Sequence, residues 1–497
     1  MPLRSALARY ADTQPDALAV KIGARAVTYG ALWQRSQAID AYVSSLPRAK
    51  RIDAELTDVP LFALHMGNTP YVAEFLATAL AGQSCMMLID PLLPKPQVEA
   101  MLADLNPDVV FTSAPPETAP KCQAPCISIR CEADLAPLLS TPATDQTTHP
   151  AAPFMIGFTS GTTSRPKAFV RHRDEWHRSL SRGRAHFGMH AGMHTLSPGP
   201  LVHGLSLYAF AETLEAGAAF HTVSRFSAQT VGAHLEGADI KRLVSVPTML
   251  DGLIRAGVDL SPLTQITTAG AKLSQLLRTS AFAAAPKAQI TEYYGASELG
   301  FVTTASYQSE TDPDQGVGRV FPGLSLEIRD PDADGCGEIW VRSDLAISGY
   351  LRSEGQSAFK AMGDAFSVGD IGHLDARDQL HLKARSGGMV ISGGNNIYPD
   401  EVIQHLTSHP AIARAEVFGM DDDYLGQKLV AIIAIEPGVA TPSLAEIDAH
   451  CRDGLQKYKC PRAVWIAKDW PMTASGKTAS GDLRRWLTTK DARLVSL

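Results

Sequence analysis

The sequence predicts an α/β fold: a large N-terminal domain of layered α/β subdomains with a small β-rich region, then a small, mobile α+β C-terminal domain. Short β-rich runs alternate with Ala/Leu-rich amphipathic stretches over the first three hundred residues, as in largely parallel sheets covered by helices. After about Gly316 the pattern changes to short strands separated by Gly, Asp and Pro turns. The length, 497 residues with 45% hydrophobic and 20% charged, is globular and asks for more than one domain.

The early elements follow from residue spacing. "TPYVAEFLATALA" (69–81) and "PKPQVEAMLADL" (94–105) carry helical periodicity, and "MMLID" (86–90) and "DVVFTS" (108–113) are apolar runs of strand length. The alternation returns as "RLVSV", "TMLDGLIRAG", "QITTAG" and "LSQLLRTSAFAAA" between 242 and 285. "LSLEIRD", "GEIWVRS", "QLHLKAR" and "GMVISGG" form the β-rich region. Beyond Arg385, "PDEVIQHLTSH", "RAEVFGM", "KLVAIIAIEP" and "SLAEIDAHCRDGLQ" read helix, strand, strand, helix. The domains are therefore set at 1–385 and 389–497, with a glycine-rich hinge at 386–388.

Composition narrows the function classes. The net charge of −7 provides no broad basic field, so nucleic acid is not an expected partner. The seven cysteines lack the paired spacing of zinc sites and read as reduced and structural. His186, His190 and His194 recur every four residues, but Gly188 and Gly192 interrupt that helix face, and no metal site is expected there. The N-terminus has no signal-type apolar stretch, and "FLATALAGQSCMMLID" is broken by Gly82, Gln83 and Ser84. A cytoplasmic protein without integral membrane association is the expectation.

"FTSGTTSRPKAFVRH" (158–172) is the stretch with the most chemistry. Hydroxyls surround Gly161 and the chain then turns basic at Arg165 and Lys167. The P-loop spacing is absent: the second glycine is missing and Pro166 precedes the lysine. Hydroxyls and backbone N–H groups on such a turn nevertheless donate readily to phosphate oxygens. Four later stretches add to it: "YYGASELG" (293–300), "SVGDIGHLD" (367–375), "LKARSGGMVISGGNNIYPDEV" (382–402) and "PMTASGKTASGDLRR" (471–485).

In this order the stretches resemble the acyl-adenylate-forming superfamily of acyl-CoA synthetases, peptide-synthetase adenylation domains and luciferases. "FTSGTTSRPKA" is similar to the family's phosphate loop except at Ser164 and Ala168, where the family has glycines. "GPLVHGLSLYAF" resembles the motif whose histidine or aromatic lies at the acyl pocket. "VPTMLDGLI" and "ITTAGAKLS" resemble the segments before the nucleotide site.

The resemblance implies a reaction in two halves. A carboxylate attacks the α-phosphate of ATP to give acyl-AMP, and a thiol then displaces AMP. It implies that Thr159, Ser160, Gly161, Thr162, Thr163 and Lys167 hold the phosphates, and that Glu298 with Thr159 binds Mg²⁺. Tyr294 would stack on adenine opposite Gly270 and Ala271, with Gly295, Ala296 and Ser297 completing that segment. Asp370 would hold the ribose and Arg385 the ribose or phosphate. Lys477, Glu298, Thr163 and His203 form the implied catalytic set.

"ISGGNNIYPDEV" looks like the acyl-CoA ligase form of the small domain, and "YKCPR" (458–462) resembles the segment where those ligases meet coenzyme A, which implies Lys459 and Arg462 as candidates for its phosphates. Coenzyme A is the expected acceptor and a discrete acyl carrier protein the alternative. A non-catalytic nucleotide-binding relative is the reading from another class, and retention of Lys167, Glu298, Asp370, Arg385 and Lys477 argues against it. No charged residue falls in "LVHGLSLYAF" or "SVPTML", which favours a fatty or other largely apolar acid. Two departures from the family pattern are Gly387, where a charged residue is usual, and "TASG" after Lys477.

Overall fold

A computed structural model describes residues 2–142, 149–159, 167–351, 359–385, 388, 390–392, 395–422, 425–473 and 476–497. Contacts divide the chain into two compact units, Met1–Ser325 with Arg342–Phe359, and Leu326–Val341 with Lys360–Leu497. Of the hinge expected at 386–388, Ser386 and Gly387 lie outside the described residues.

The first unit contains two sheets. One runs Cys126–Ser128, Val109–Thr112, Leu61–His65, Cys85–Leu88, Pro153–Thr159, Lys167–His172. Its first five strands pair in parallel and the last closes an antiparallel hairpin. Every residue of Cys85–Leu88 and Val109–Thr112 is buried, which is why these strands read as unbroken apolar runs. Helix Val72–Ala81 is buried along its whole length, and its one carboxylate, Glu74, is paired with Arg25 and Arg35. Helix Lys95–Leu105 ends where Asn106 takes a left-handed φ of 46°.

The other sheet has nine strands: Arg319–Val320, Gly300–Tyr307, Gln289–Ala296, Gln265–Ala269, Arg242–Ser245, Thr195–Leu196, Phe220–Thr222, Leu18–Ile22 and Arg25–Thr28. The strands from Gln289–Ala296 to Leu18–Ile22 are parallel. Helices Ala228–Glu236, Pro247–Arg255 and Gln275–Ala284 pack on one face through Val231, Leu250 and Phe282. A second apolar cluster joins Phe301 and Tyr293 of the sheet to Phe187, Phe321 and Tyr208 of helix Gly204–Glu215.

The second unit also has two sheets. The first is the β-rich region: Lys360–Met362, Ala365–Ser367, Gly337–Arg342, Asp370–Leu374 and Leu380–Arg385, with Ser325–Arg329 beside Gly337–Arg342. The second carries helices on both faces. Pro399–Thr407 and Leu444–Gly454 bury Val402, Leu406 and Ile447 on one side, and Ser480–Thr489 buries Leu483 and Trp486 on the other. Its longest pairing, Ile412–Asp422 against Gly426–Ile435, is antiparallel.

His172 fixes the exit of the first unit's hairpin. It ends strand Lys167–His172 and precedes helix Arg173–His186. Its Nδ1 lies 3.0 Å from Glu175 Oε1, and its Nε2 bonds Glu55. Hydrogen bonds to Glu175 and then Glu55, working against partial burial, raise its pKa from 6.5 to about 9. A raised folded-state pKa stabilises fully below the unfolded value. We therefore expect stability to be lost as pH rises from 6.5 through about 9. Urea unfolding of the wild type should show this decline, and His172→Gln should flatten it.

Candidate active site

The hairpin Pro153–Thr159/Lys167–His172 places Thr159 directly opposite Lys167 at its open end. The connecting residues Ser160, Gly161, Thr162 and Thr163, expected to hold phosphate, lie outside the described residues, as do Ser164 and Arg165. What the structure describes is the base of that loop.

Glu298 is brought to this base by a tight turn. Strand Gln289–Ala296 reverses into Gly300–Tyr307, with an irregularity between Tyr294 and Gly295. A Cβ on Gly295 would lie 2.2 Å from the Gly300 carbonyl oxygen, so only glycine fits. The turn drives Glu298 inward, to 6% exposure. Its backbone carbonyl accepts from the Ile347 N–H at 2.8 Å.

Two residues that sequence reading did not single out complete the arrangement. Arg171, buried on the hairpin strand, donates to the Ser297 carbonyl at 2.6 Å and to the Leu345 carbonyl. Burial lowers its pKa, opposed by Glu175 at 3.5 Å and by Glu298. Tyr350 follows, tied to the hairpin by a bridge to Phe169 and by the Leu351 N–H to the Ala168 carbonyl, 2.8 Å. Its hydroxyl donates to the Glu298 carboxylate and accepts from Thr159 Oγ1 at 3.5 Å. Lys167 Nζ sits 5.7 Å from the centre of the Tyr350 ring. Thr159, Lys167, Glu298 and Tyr350 thus meet at one point. An arginine amid the apolar "AFVRH" was the available signal for Arg171; Tyr350 carried none.

Beside them lie the carboxyl ends of parallel strands, where open α/β sheets bind ligands. The register Ala269↔Tyr293 brings Gly270 level with Tyr294. Gly270 has φ +87°, and both it and Ala271 are exposed. Lys272 then anchors the segment through Glu292 and Asp314, each at 3.2 Å, while the Leu273 N–H donates to Glu292 at 2.8 Å. Burial raises the pKa of Glu292, and Lys272 pulls it back.

The other expected residues are distributed as follows. His203 caps helix Gly204–Glu215, its Nε2 3.7 Å from Asp90 Oδ2. His186 contacts Thr304 and the Phe321 ring, whereas His194 faces His221. Within the second unit, Asp370 and Arg385 are direct partners across adjacent strands. Lys477 is exposed on a tight turn closed by the Thr473 N–H to the Lys477 carbonyl, 2.7 Å, with Gly476 at φ +78°. Lys459 is committed to Glu401 at 2.7 Å, while Arg462 is exposed.

The donor set at Glu298 suits a hard cation: one buried carboxylate and the Thr159 hydroxyl, all oxygen, close to one lysine. Among the described residues no group of three His, Cys, Asp or Glu side chains is arranged to hold a metal by itself. No helix among them is long and apolar enough to cross a membrane.

Comparison with known proteins adds independent information. The AMP-binding enzyme profile matches residues 7–351, and the AMP-binding enzyme C-terminal domain profile matches 401–477. The uncharacterized acyl–CoA ligase YhfT of Bacillus subtilis is 29% identical over 487 residues, 96% of each chain. The 2-succinylbenzoate–CoA ligase of Arabidopsis thaliana is 30% identical over 375 residues, 67% of this chain and 66% of its own. In fold, the chain is similar to the o-succinylbenzoate CoA synthetase of Bacillus subtilis solved with its acyl-adenylate intermediate, with a TM-score of 0.82, 22% identity and 99% of each chain covered. A fatty acyl CoA synthetase of Mycobacterium tuberculosis shares the fold at a TM-score of 0.74, 22% identity and 98% of each chain.

Replacing Arg171 tests how the site is assembled. Arg171→Met leaves two carbonyls without their donor and should cost about 3–5 kcal/mol in urea unfolding. The amides of Ile347 and Leu351 should lose hydrogen-exchange protection ahead of the sheet. Unchanged protection there would show that the guanidinium does not hold the segment.

Proposed function

The chain belongs to the AMP-binding enzyme family and is an AMP-forming acyl-CoA ligase, and on that premise we propose that it activates a fatty or other largely apolar carboxylic acid as acyl-AMP and transfers the acyl group to coenzyme A in the cytoplasm. The observation that carries the reading is the meeting of Thr159, Lys167, Glu298 and Tyr350 beside the strand ends that bear Gly270 and Tyr294.

In the first half-reaction the acid's carboxylate oxygen bonds to the α-phosphorus of ATP and pyrophosphate leaves. Lys167 offsets phosphate charge at the hairpin base, and Tyr294 with Gly270 and Ala271 holds adenine. Magnesium, when bound, supplies further charge neutralisation on the phosphate oxygens, and Glu298 and Thr159 are the residues to hold it. Tyr350 orients the Glu298 carboxylate for that task. Asp370 takes the ribose hydroxyls, a contact made equally in ground and transition states. Lys477 brings positive charge to the phosphoryl displacement. In the second half-reaction the thiol sulfur of coenzyme A bonds to the acyl carbon and AMP leaves. Arg462 is the candidate for its phosphates; Lys459, already paired with Glu401, is the weaker one. The absence of charge in "LVHGLSLYAF" and "SVPTML" supports an apolar acyl group.

The reading requires ATP–pyrophosphate exchange that depends on both an acid and Mg²⁺. No exchange above a Glu298→Ala control, across a broad acid panel, would remove it. Lys477→Ala should lower acyl-AMP formation by about 10²–10³-fold. It should spare thioester formation from supplied acyl-AMP and coenzyme A; equal slowing of both halves would remove the adenylation role.

Tyr350→Phe removes a donor from a buried carboxylate and should lower unfolding stability by about 1.5–3 kcal/mol. Without the hydroxyl, Glu298 loses its orientation, so calorimetry should show weaker ATP binding in Mg²⁺ but unchanged ATP binding in EDTA. Equal weakening in both conditions would count against a positioning role.

A further inference from the structure

Resting on the acid-activating reading above, we propose that Tyr208, Tyr293 and Phe301 form the closed end of the acyl site, and that the acid is short.

The direction of the acyl group follows from the strand. Tyr293 and Tyr294 are consecutive on Gln289–Ala296, so they project to opposite faces of the sheet. With adenine on the Tyr294 side and the phosphates at Thr159, Lys167 and Glu298, the remaining way inward lies on the Tyr293 side. That side is covered by helix Gly204–Glu215, the helix capped by His203.

Aromatic rings fill this space. Tyr208 meets Phe301 edge-on at 4.9 Å and 90°, and Tyr293 meets Phe301 at 4.8 Å and 70°. Phe301 is stacked on Phe321 at 4.6 Å and is itself buried. The Tyr208 hydroxyl donates to the Ser179 carbonyl at 2.8 Å, so its ring cannot swing aside without losing a hydrogen bond. Both tyrosines are half-buried, as side chains at the end of a pocket would be.

Behind the rings stands an ion pair. Arg242 and Glu212 are both buried and lie 2.6 Å apart, with Arg242 5.5 Å from the Phe187 ring that touches Tyr293 and Phe301. An alkyl chain pushed past the rings would press against two charges whose remaining polar contacts it cannot replace. Length is therefore limited twice, by volume and then by polarity.

The test is a chain-length profile of acid-dependent ATP–pyrophosphate exchange with the full chain, using acetate, butyrate, hexanoate, octanoate and palmitate. The wild type should peak at acetate or butyrate, and kcat/KM should fall by about tenfold or more by octanoate. Phe301→Leu and Tyr208→Leu, each checked for folding by circular dichroism, should move the peak toward longer acids. A wild-type peak at octanoate or palmitate overturns the short-acid proposal and leaves acid activation standing. An unmoved profile in a folded variant overturns the assignment of that ring. No exchange with any acid removes the acid-activating reading itself and this proposal with it.

Discussion

The buried guanidinium of Arg171 is the contact on which the site depends. It sits on the hairpin strand, yet its hydrogen bonds go to Ser297 and Leu345, which belong to segments more than a hundred residues away in the chain. Taking a guanidinium out of water costs several kcal/mol unless its donors are satisfied. Here Glu175 and two carbonyl oxygens meet that need. The requirement acts in both directions. The cation is tolerable only when the turn and the 342–351 segment are docked, and those backbones have their partner only when the cation is present. Glu298 and Tyr350 are therefore held relative to Lys167 by the same contact that makes the strand foldable.

This arrangement favours a preorganised site. Glu298 needs no search for its orientation, because its backbone is fixed through Ile347 and its carboxylate through Tyr350. Groups fixed before substrate arrives stabilise charge without reorganising during the reaction. The strand register likewise fixes Gly270 level with Tyr294, because Ala269 pairs with Tyr293.

The parallel strands were legible because both of their faces are buried. "MMLID" and "DVVFTS" needed nothing beyond length and apolarity, and they emerge as Cys85–Leu88 and Val109–Thr112. Glu298 was singled out through the resemblance of "YYGASE" to a family motif, and the structure adds that Gly295 and Gly300 form the tight turn that carries it. Tyr350 and Arg171 were not, because nothing local requires them. Their partners are 52 and 126 residues distant, and only the folded chain brings them together. The pairing of Lys459 with Glu401 was invisible for the same reason, being 58 residues apart. A lysine in "YKCPR" reads identically whether it serves a ligand or a neighbouring helix.

Lys477 shows the opposite design. Its carbonyl accepts from the Thr473 N–H, and the adjoining Thr478 accepts from the Trp470 indole at 3.1 Å. Its side chain is exposed, at the end of a long stem. On the proposed reading, a carboxylate that binds a cation gains from being buried and held, because the cation comes to it. On the same reading, a lysine that meets charge developing in one half-reaction gains from a long stem that can deliver a compact charge. The two residues are thus positioned by different physical means. In the first the protein buries the carboxylate and holds its oxygens through Tyr350; in the second it presents an exposed lysine on a turn.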